Sequence, residues 1–295
     1  MRFSARKKQS RIMALWNVFR DHHPTSSDLC SIITSVSILA QAAAKDLLLR
    51  EDASNCDLIH VMRHVEEYRI AAWDKFILRD PSDIDLRSVI ENVPYLAETA
   101  GRLLLSRYPE KNLLFCIMER VSILQKEAWM QYRDQMPTNG ELCWVIRYIP
   151  ALQTDAGKML LRRNPSRDDL RCIIVRVKPL QTEAAKMLLR DHHDKKDLQC
   201  IIDHVSEFKE EAGRMLLMHG PSDSELRNLI EQCVGEVGES AGRELYRRTS
   251  PLSFKDRQYL KHYVPSLKDE LGREQMKHSR SRILEELLSL SRQNP

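Results

Sequence analysis

Two stretches of the chain, DLRCIIVRVKPLQTEAAKMLLR from Asp169 to Arg190 and DLQCIIDHVSEFKEEAGRMLLM from Asp197 to Met218, are variants of one pattern. Their second residues, Leu170 and Leu198, stand 28 residues apart. Valine or isoleucine recurs seven residues after this anchor leucine, and alanine recurs fourteen residues after it. A register kept along most of a chain indicates a repeat protein. The anchor leucines are Leu29, Leu58, Leu86, Leu114, Leu142, Leu170, Leu198 and Leu226.

Within one repeat the apolar spacing is helical. Apolar residues at i, i+3, i+4 and i+7 from Leu170 to Val177 form one stripe, and a second stripe runs from Leu180 to Leu188. Pro179 stands between them and marks a break between two short helices. Capping-box patterns predict where the first helix of a repeat begins. They are Ser82 with Asp85, Thr138 with Glu141, Ser166 with Asp169, and Ser222 with Glu225.

Neither helix of a repeat can bury its stripe alone, so consecutive repeats must stack. The pattern resembles the short-repeat α-solenoids of the HEAT and armadillo type over about residues 14–248. The resemblance implies an all-α fold, a right-handed α-solenoid of about eight 28-residue helix-turn-helix repeats with N- and C-terminal capping helices. We expect a basic N-terminal segment and capping helix over 1–27, with a lone helix at 14–21. The solenoid should cover 28–248 and divergent C-terminal capping helices 249–295.

The residue after the recurrent alanine alternates between very large and very small side chains. Glycine inside a helix costs about 1 kcal/mol relative to alanine, so its recurrence needs a structural reason. We expect a neighbouring helix to approach closely there, with an adjacent indole filling the space. The residues are Trp73, Gly101, Trp129, Gly157, Ala185 and Gly213.

Composition narrows the classes of function. The chain has 46 basic and 42 acidic residues, a nearly balanced charge that does not require a nucleic-acid partner. Its seven cysteines include no CxxC pair, which predicts free thiols in the cytoplasm. We expect a monomer without a secretory signal, and no apolar run reaches membrane-spanning length.

Candidate catalytic groups are few. Histidines cluster at Asp21–His23 and Asp191–Asp194, but adjacent histidines in a turn rarely converge on one metal ion. Cys116, Cys172 and Cys200 recur with the repeat, which favours packing over nucleophilic catalysis. No nucleophile-elbow, phosphate-loop or zinc-protease motif is present. The expectation is a protein that is not an enzyme, with no cofactor and no metal.

A varied row on the first helices is the candidate partner-binding surface. A constant scaffold with one varied row is typical of solenoid recognition, and relaxed constraint on a solvated face produces the same pattern. Trp144 and Tyr148, one helical turn apart, make the most plausible anchor for a protein or peptide partner. The predicted binding residues are His64, Asn92, Arg120, Trp144, Tyr148, Arg176 and His204.

A basic ladder on the second helices supports an alternative, nucleic-acid binding along a phosphate backbone. Acidic residues three positions earlier, as in Asp155 with Lys158, Glu183 with Lys186 and Glu211 with Arg214, predict stabilising helix pairs instead. Basic tails at 5–11 and 277–282 would assist the nucleic-acid alternative. The ladder comprises Lys45, Arg102, Lys158, Arg162, Lys186, Arg190, Arg214 and Arg243.

Overall fold

A computed structural model describes residues 2–190, 194–233, 235–249, 252–273, 276, 280–281 and 283–285, with side chains described from residue 9 onward. This described part is helical and contains no strand. None of its helices is long and apolar enough to cross a membrane. The chain divides into two compact units, an N-terminal unit, Met1–Pro137, and a C-terminal unit, Thr138–Pro295. The predicted boundaries at 27/28 and 248/249 are a different division and stay a prediction.

The N-terminal unit begins with helix α1 and continues with helix pairs. Helix α1 starts twelve residues before the predicted lone helix, because residues 2–13 contain neither proline nor glycine to interrupt it. We call the members of each pair the first and second helix, and the 3₁₀ turn between them the corner. The helices are α1 (Arg2–Asp21), α2 (Ser26–Ser35), α3 (Ala40–Leu49), α4 (Asn55–His64), α5 (Arg69–Ile77), α6 (Asp83–Asn92), α7 (Ala97–Ser106), α8 (Lys111–Arg120) and α9 (Gln125–Asp134); the corners are Ser37–Leu39, Glu66–Tyr68, Pro94–Leu96 and Ser122–Leu124.

The C-terminal unit continues the same alternation. Its pair α16 and α17 has no 3₁₀ corner in the described residues, and Gly235 stands before α17 with φ 105°. The helices are α10 (Asn139–Tyr148), α11 (Gln153–Leu161), α12 (Arg167–Arg176), α13 (Gln181–Leu188), α14 (Lys195–His204), α15 (Lys209–Met218), α16 (Asp223–Gln232), α17 (Glu236–Arg248) and α18 (Phe254–Tyr263); the corners are Pro150–Leu152, Lys178–Leu180, Ser206–Phe208 and Pro265–Leu267.

All four predicted capping boxes are present, and each begins a first helix. In the box at α12, Ser166 Oγ accepts from Asp169 N–H, and the Asp169 side chain accepts from Ser166 N–H. Two further boxes, at Thr25 and Ser54, start α2 and α4. Ser253 caps α18 in the same way through Asp256 N–H. Local side-chain chemistry therefore sets where first helices start.

The corner replaces the simple break that the prolines predict. At the end of α12, Val177 leaves the helix with φ −116° and ψ 77° while its N–H still bonds Ile173 O. Leu180 N–H then donates to Val177 O at 2.8 Å and closes the 3₁₀ turn. Val177 and Leu180 are both buried, so this corner presents a valine and a leucine side chain to the core.

The last turn of the second helix is tied to the start of its own pair. Arg107 Nη1 donates to Pro81 O at 2.7 Å, and Gln135 Nε2 donates to Pro109 O at 2.8 Å. Arg248 Nη1 donates to Pro221 O at 2.6 Å in the C-terminal unit. These donors satisfy loop carbonyls that no helix pairs, and they close each pair into a compact hairpin.

Consecutive hairpins pack against one another within each unit. Neighbouring first helices lie side by side, α2 to α8 in one unit and α10 to α16 in the other. Most second helices lie farther apart and instead meet the corner of the following hairpin. The structure thus confirms an all-helical chain of repeated, adjacent helix pairs, an architecture compatible with a helical-repeat solenoid. The handedness and the number of repeats stay predictions.

The glycines of the second helices face the next corner at close range. A Cβ added to Gly157 would stand 2.8 Å from Leu180 Cδ1, and one added to Gly101 would stand 2.8 Å from Leu124 Cδ1. The predicted close approach is therefore confirmed. The nearest atoms around these glycines belong to aliphatic side chains and not to an indole, so the expectation that an indole fills this space is wrong.

Between hairpins the chain turns through a left-handed residue. Asp80, Tyr108, Met136 and Asn164 follow one another at 28-residue intervals with φ between 49° and 56°. His23 has the same conformation at the end of α1. In the C-terminal unit, Gly220 takes this position with φ 61°. The turns between these hairpins therefore recur with the same 28-residue spacing as the repeat.

We predict that Gly242→Ala destabilises the protein. A Cβ at Gly242 would stand 2.5 Å from Val264 Cγ2 and 3.2 Å from Val264 Cβ, and a β-branched corner residue cannot move its branch away. Overpacking of this kind costs about 1–3 kcal/mol in the free energy of unfolding. Urea denaturation followed by circular dichroism measures the loss.

The matched control is Gly140→Ala in α10. The nearest atom to its added Cβ is Thr138 Oγ1 at 4.0 Å, so the methyl group meets open space. We expect this variant to be more stable than wild type by about 0.5–1 kcal/mol, since alanine loses less backbone entropy than glycine in a helix. Equal effects of the two substitutions would contradict the close corner contact.

Candidate functional site

The first helices carry the predicted binding residues on the side that faces away from the core. The described structure places His64, Asn92 and Arg120 in the N-terminal unit, on α4, α6 and α8. Trp144, Tyr148, Arg176 and His204 belong to the C-terminal unit, on α10, α12 and α14. All are exposed except Asn92, which is half-buried. The varied row is therefore accessible.

Trp144 and Tyr148 form an exposed aromatic pair. Their ring centroids lie 5.7 Å apart with an interplanar angle of 56°. Trp144 keeps 58% of its surface exposed and Tyr148 keeps 48%, although both are large side chains that folding normally covers. A pair of this kind supplies contact area for a partner without loss of many rotamers on binding.

Two arginines accompany the aromatic pair, Arg147 on the same helix and Arg176 on the adjacent helix α12. Arg147 and Arg176 are exposed, and the charges of both favour the thiolate of Cys172, which lies on α12. The pKa of Cys172 is lowered to about 7, first by a hydrogen bond with Cys143 and then by these guanidinium groups, against the effect of burial. We call Trp144, Arg147, Tyr148, Cys172 and Arg176 the aromatic–basic patch. Its chemistry suits an apolar side chain beside carboxylates.

The equivalent positions in the N-terminal unit are more polar and more closely bonded. His60 and His64 stack at 4.5 Å, and burial together with the charges of His60 and Arg63 lowers the pKa of His64. Asn92 accepts from Arg63 at 3.2 Å and donates to Ser88 O at 2.8 Å. Arg120 lies 3.7 Å from Glu119. These side chains are partly committed to polar neighbours.

One contact between neighbouring first helices was not apparent from the sequence. In four hairpins the residue after the anchor position meets the third residue of the next first helix, which is an acid. Cys30 Sγ lies 3.5 Å from Asp57 Oδ1, Cys143 Sγ lies 3.2 Å from Asp169 Oδ1, and Arg227 Nη2 lies 2.6 Å from Asp256 Oδ1. Arg171 contacts Asp197 in the same register. The sequence signal is a cysteine or arginine after the anchor and an acid 26 to 29 residues later.

The same residue also approaches the second residue after the next anchor. The Arg227 guanidinium lies 5.1 Å from the ring centre of Tyr259, and Arg87 interacts with Cys116. In this register Cys143 meets Cys172, and each thiol shifts the pKa of the other. Because the hairpins stack in register, residues at these positions of neighbouring first helices come into contact.

The basic ladder is exposed at every predicted position. In the N-terminal unit, Arg102 pairs with Glu98 of its own helix at 2.9 Å. In the C-terminal unit, Lys186 lies 5.9 Å from the ring centre of Phe208. The three predicted acid–base pairs, all within the described residues, are not joined by an ion pair at 4.0 Å or less, so that prediction is wrong. The long side chains point into solvent, where pairing contributes little free energy.

The ladder cations are divided between the two units. Lys45 and Arg102 belong to the N-terminal unit, and the others belong to the C-terminal unit. Arg162 and Arg190 lie just after the ends of α11 and α13, and the other cations lie within second helices. Most second helices lie farther apart than the first helices, although α15 and α17, which carry Arg214 and Arg243, contact each other.

An apolar groove that the sequence did not reveal lies in the N-terminal unit. It has a volume of about 520 Å³ between α1 and the hairpin of α2 and α3. Leu15 and Val18 on α1 are exposed there, whereas Trp16 is buried. The groove takes apolar groups, since its lining is almost entirely hydrocarbon: Ile12, Leu15, Trp16, Val18, Phe19, His22, Ile32, Val36 and Leu39.

Metal and acid–base chemistry find no support in the described residues. No group of three or more histidine, cysteine or carboxylate side chains is arranged there to hold a metal ion. His22 Nδ1 lies 2.8 Å from Val18 O, and His23 is the left-handed turn residue after α1. The histidines at 191–194 fall on the loop whose residues 191–193 lie outside the described part.

Comparisons with known proteins add no relative to this geometry. The chain matches no protein-family model, no curated protein and no solved structure. The functional argument therefore depends on the contacts, burial and charges of the chain's own residues.

We predict that Arg171→Met destabilises the protein by about 3 kcal/mol, the cost of leaving a buried carboxylate without its main cation. Asp197 is only 1% exposed, and Arg171 is its closest ion-pair partner, with Arg167 at 3.5 Å. Urea denaturation measures the change. The double variant Arg171→Met, Asp197→Leu should recover most of the loss, because it removes the stranded charge.

The control for this prediction is Arg247→Met. Arg247 pairs with Glu244 at 2.8 Å but is 75% exposed, so its loss should change stability by less than about 0.5 kcal/mol. Arg171→Met and Arg247→Met with the same small effect would contradict the structural role of the buried carboxylate.

Proposed function

We propose that the chain is a non-enzymatic helical-repeat scaffold, a right-handed α-solenoid of about eight repeats, that binds another protein or a peptide along its first helices. The observation that carries the proposal is the aromatic–basic patch of the C-terminal unit. There, an exposed Trp144–Tyr148 pair and Arg147 stand on α10, and Arg176 stands on the adjacent helix α12. Aromatic and arginine side chains dominate the energy of protein interfaces.

The support of the patch makes it suitable for binding. Helix α10 starts at a complete capping box, and its buried stripe of Leu142, Val145 and Ile146 holds it against its neighbours. Helix α12 packs directly beside it. The exposed side chains therefore project from fixed backbone, which lowers the entropy that a partner must overcome on binding.

The patch also indicates the chemistry of the partner. The patch contains two guanidinium groups and no carboxylate, so it favours acidic side chains on a partner. Its two rings favour an apolar side chain of the partner. We therefore expect a segment that combines one large apolar residue with neighbouring Asp or Glu. Such a segment would place its carboxylates on Arg147 and Arg176.

The test is selection of binders from a random linear peptide library displayed on phage, followed by fluorescence anisotropy on labelled peptides. We expect enriched peptides to contain an apolar residue next to acidic ones. Trp144→Ala and Tyr148→Ala should each weaken binding by at least about 30-fold, the loss typical of an interface hot spot. Met218→Ala removes an even more exposed apolar side chain from a second helix and should leave binding unchanged. Selected peptides that bind both aromatic variants as well as wild type would refute the proposal.

The alternative function is nucleic-acid binding through the basic ladder. One observation favours it: Lys158 and Arg214 are exposed and free of the ion pairs that the sequence predicted. This alternative predicts salt-sensitive binding of a mixed-sequence oligonucleotide. Replacing Lys158, Lys186 and Arg214 by glutamate should then weaken binding and reduce its salt dependence. The same triple variant should leave peptide binding at the aromatic–basic patch intact, so the two functions are separable.

A further inference from the structure

Two cysteines meet where other hairpins place an arginine. Cys143 follows the anchor Leu142 on α10, and Cys172 is the second residue after the anchor Leu170 on α12. The corresponding pairs elsewhere are Arg87 with Cys116, Arg171 with Cys200, and Arg227 with Tyr259. Because the register brings these positions together between neighbouring first helices, the C-terminal unit contains a thiol–thiol contact.

The contact is held from one side by a carboxylate. Cys143 Sγ donates to Asp169 Oδ1 at 3.2 Å. Asp169 is fixed by its capping box with Ser166 and by Asn139 Nδ2 at 3.2 Å. Burial raises the pKa of Asp169, but the hydrogen bonds from Ser166, Cys143 and Asn139 hold it below its usual value overall. Asp169 is therefore an ionised acceptor next to the Cys143 proton.

The two thiols differ in protonation. The hydrogen bond with Cys172 raises the pKa of Cys143, and burial and Asp169 raise it further. The interaction with Cys143 instead lowers the pKa of Cys172, and the charges of Arg147 and Arg176 lower it further, to about 7. Cys200, at the same repeat position on α14, has a pKa raised to about 11 by burial. Cys172 is therefore the thiol of the pair that ionises first, and Cys143 is the one that keeps its proton.

Both sulfurs are within reach of small reagents. Cys143 and Cys172 are half-buried, whereas Cys116 and Cys233 are buried. Helices α10 and α12 are direct neighbours, so a bond between the two sulfurs links elements that already pack together.

We propose that Cys143 and Cys172 form a hydroperoxide-reactive dithiol that closes to a disulfide between α10 and α12. The Cys172 thiolate attacks one oxygen of hydrogen peroxide, the O–O bond breaks, and hydroxide leaves, so that Cys172 becomes a sulfenic acid. The Cys143 sulfur then attacks the Cys172 sulfur, and its proton passes by way of Asp169 to the sulfenic oxygen, which leaves as water. In total the two thiols lose two protons and two electrons, and the peroxide, including the hydroxide that leaves in the first step and takes up the proton released when Cys172 ionises, is reduced to two molecules of water.

This site goes beyond the proposed function and does not depend on it. If the aromatic–basic patch binds a peptide, closure of the dithiol removes the Cys172 thiolate from between Arg147 and Arg176 and ties α10 to α12. Binding by the patch and oxidation of the dithiol are measured separately, and either can fail alone.

The first experiment compares thiol reactivity in the wild-type protein. Iodoacetamide is added at pH 7, and alkylation of each cysteine is followed by peptide mass spectrometry. At pH 7 a thiol with a pKa near 7 is far more ionised than one with a pKa near 11. The thiolate of lower pKa is also a weaker nucleophile, which removes about half of the logarithm of this difference in rate. Cys172 should therefore react on the order of 100-fold faster than Cys200, its matched control. Equal rates at Cys172 and Cys200 would overturn the proposal without any variant having to fold.

The second experiment adds hydrogen peroxide to the reduced protein and maps the products. We expect peptides containing Cys143 and Cys172 to be linked, with the mass of two hydrogens lost. Cys200→Ser should form the link like wild type, and Cys172→Ser should not. Cys143→Ser should instead accumulate a sulfenic acid at Cys172 that dimedone traps. A wild-type product in which Cys172 stays a trappable sulfenic acid, or bonds to another cysteine, would contradict the assignment.

Discussion

The contact between a second helix and the corner of the next hairpin is the constraint on which the rest of the structure depends. On the second helix stands a buried alanine followed by a small residue, as in Ala156 and Gly157. Against it lie the valine and leucine of the corner, Val177 and Leu180. A single helical hairpin exposes half of its apolar stripe, so stability has to come from this interface between hairpins. Where glycine stands in this interface, as at Gly157, the corner leucine leaves no room for a larger side chain, and this close fit limits how far one hairpin can slide along the next.

Because this register is fixed, residues at a given separation in the sequence come into contact between neighbouring hairpins. In four hairpins the residue after the anchor leucine, Cys30, Cys143, Arg171 or Arg227, reaches the acid at the third position of the following first helix. Arginine in this position produces an ion pair with a buried or half-buried acid, as in Arg171 with Asp197. Arginine opposite tyrosine produces a cation–π contact, as in Arg227 with Tyr259. Cysteine opposite cysteine produces the Cys143–Cys172 dithiol. The same contact position is thus an ion pair, a cation–π contact or a pair of thiols, depending on which residues occupy it.

Much of the fold was predictable because its signals are local. The capping boxes act within four residues, and the apolar stripes repeat within one helix, so Ser166 and Leu170 could be interpreted without any tertiary information. The 3₁₀ corner was missed because valine before proline predicts only a break. The role of Arg107 was missed because its acceptor, Pro81 O, is 26 residues away. The expected pairing of Glu183 with Lys186 did not form, since on a solvated helix a weak ion pair competes with side-chain entropy. Long-range partners, and not secondary structure, were the unpredictable part.

The two exposed rows differ in the rigidity of their support, and this difference favours one of them as a binding surface. Trp144 and Tyr148 have few rotatable bonds and stand on first helices that pack side by side. Lys158 and Arg214 have long flexible chains and stand on second helices that meet corners more than each other. Ordering a lysine or arginine costs about 1.5–2 kcal/mol of side-chain entropy, whereas a ring already held by a neighbouring ring loses less. A partner therefore gains more from the first-helix face for the same area covered, and the cations of Arg147 and Arg176 add direction to that contact.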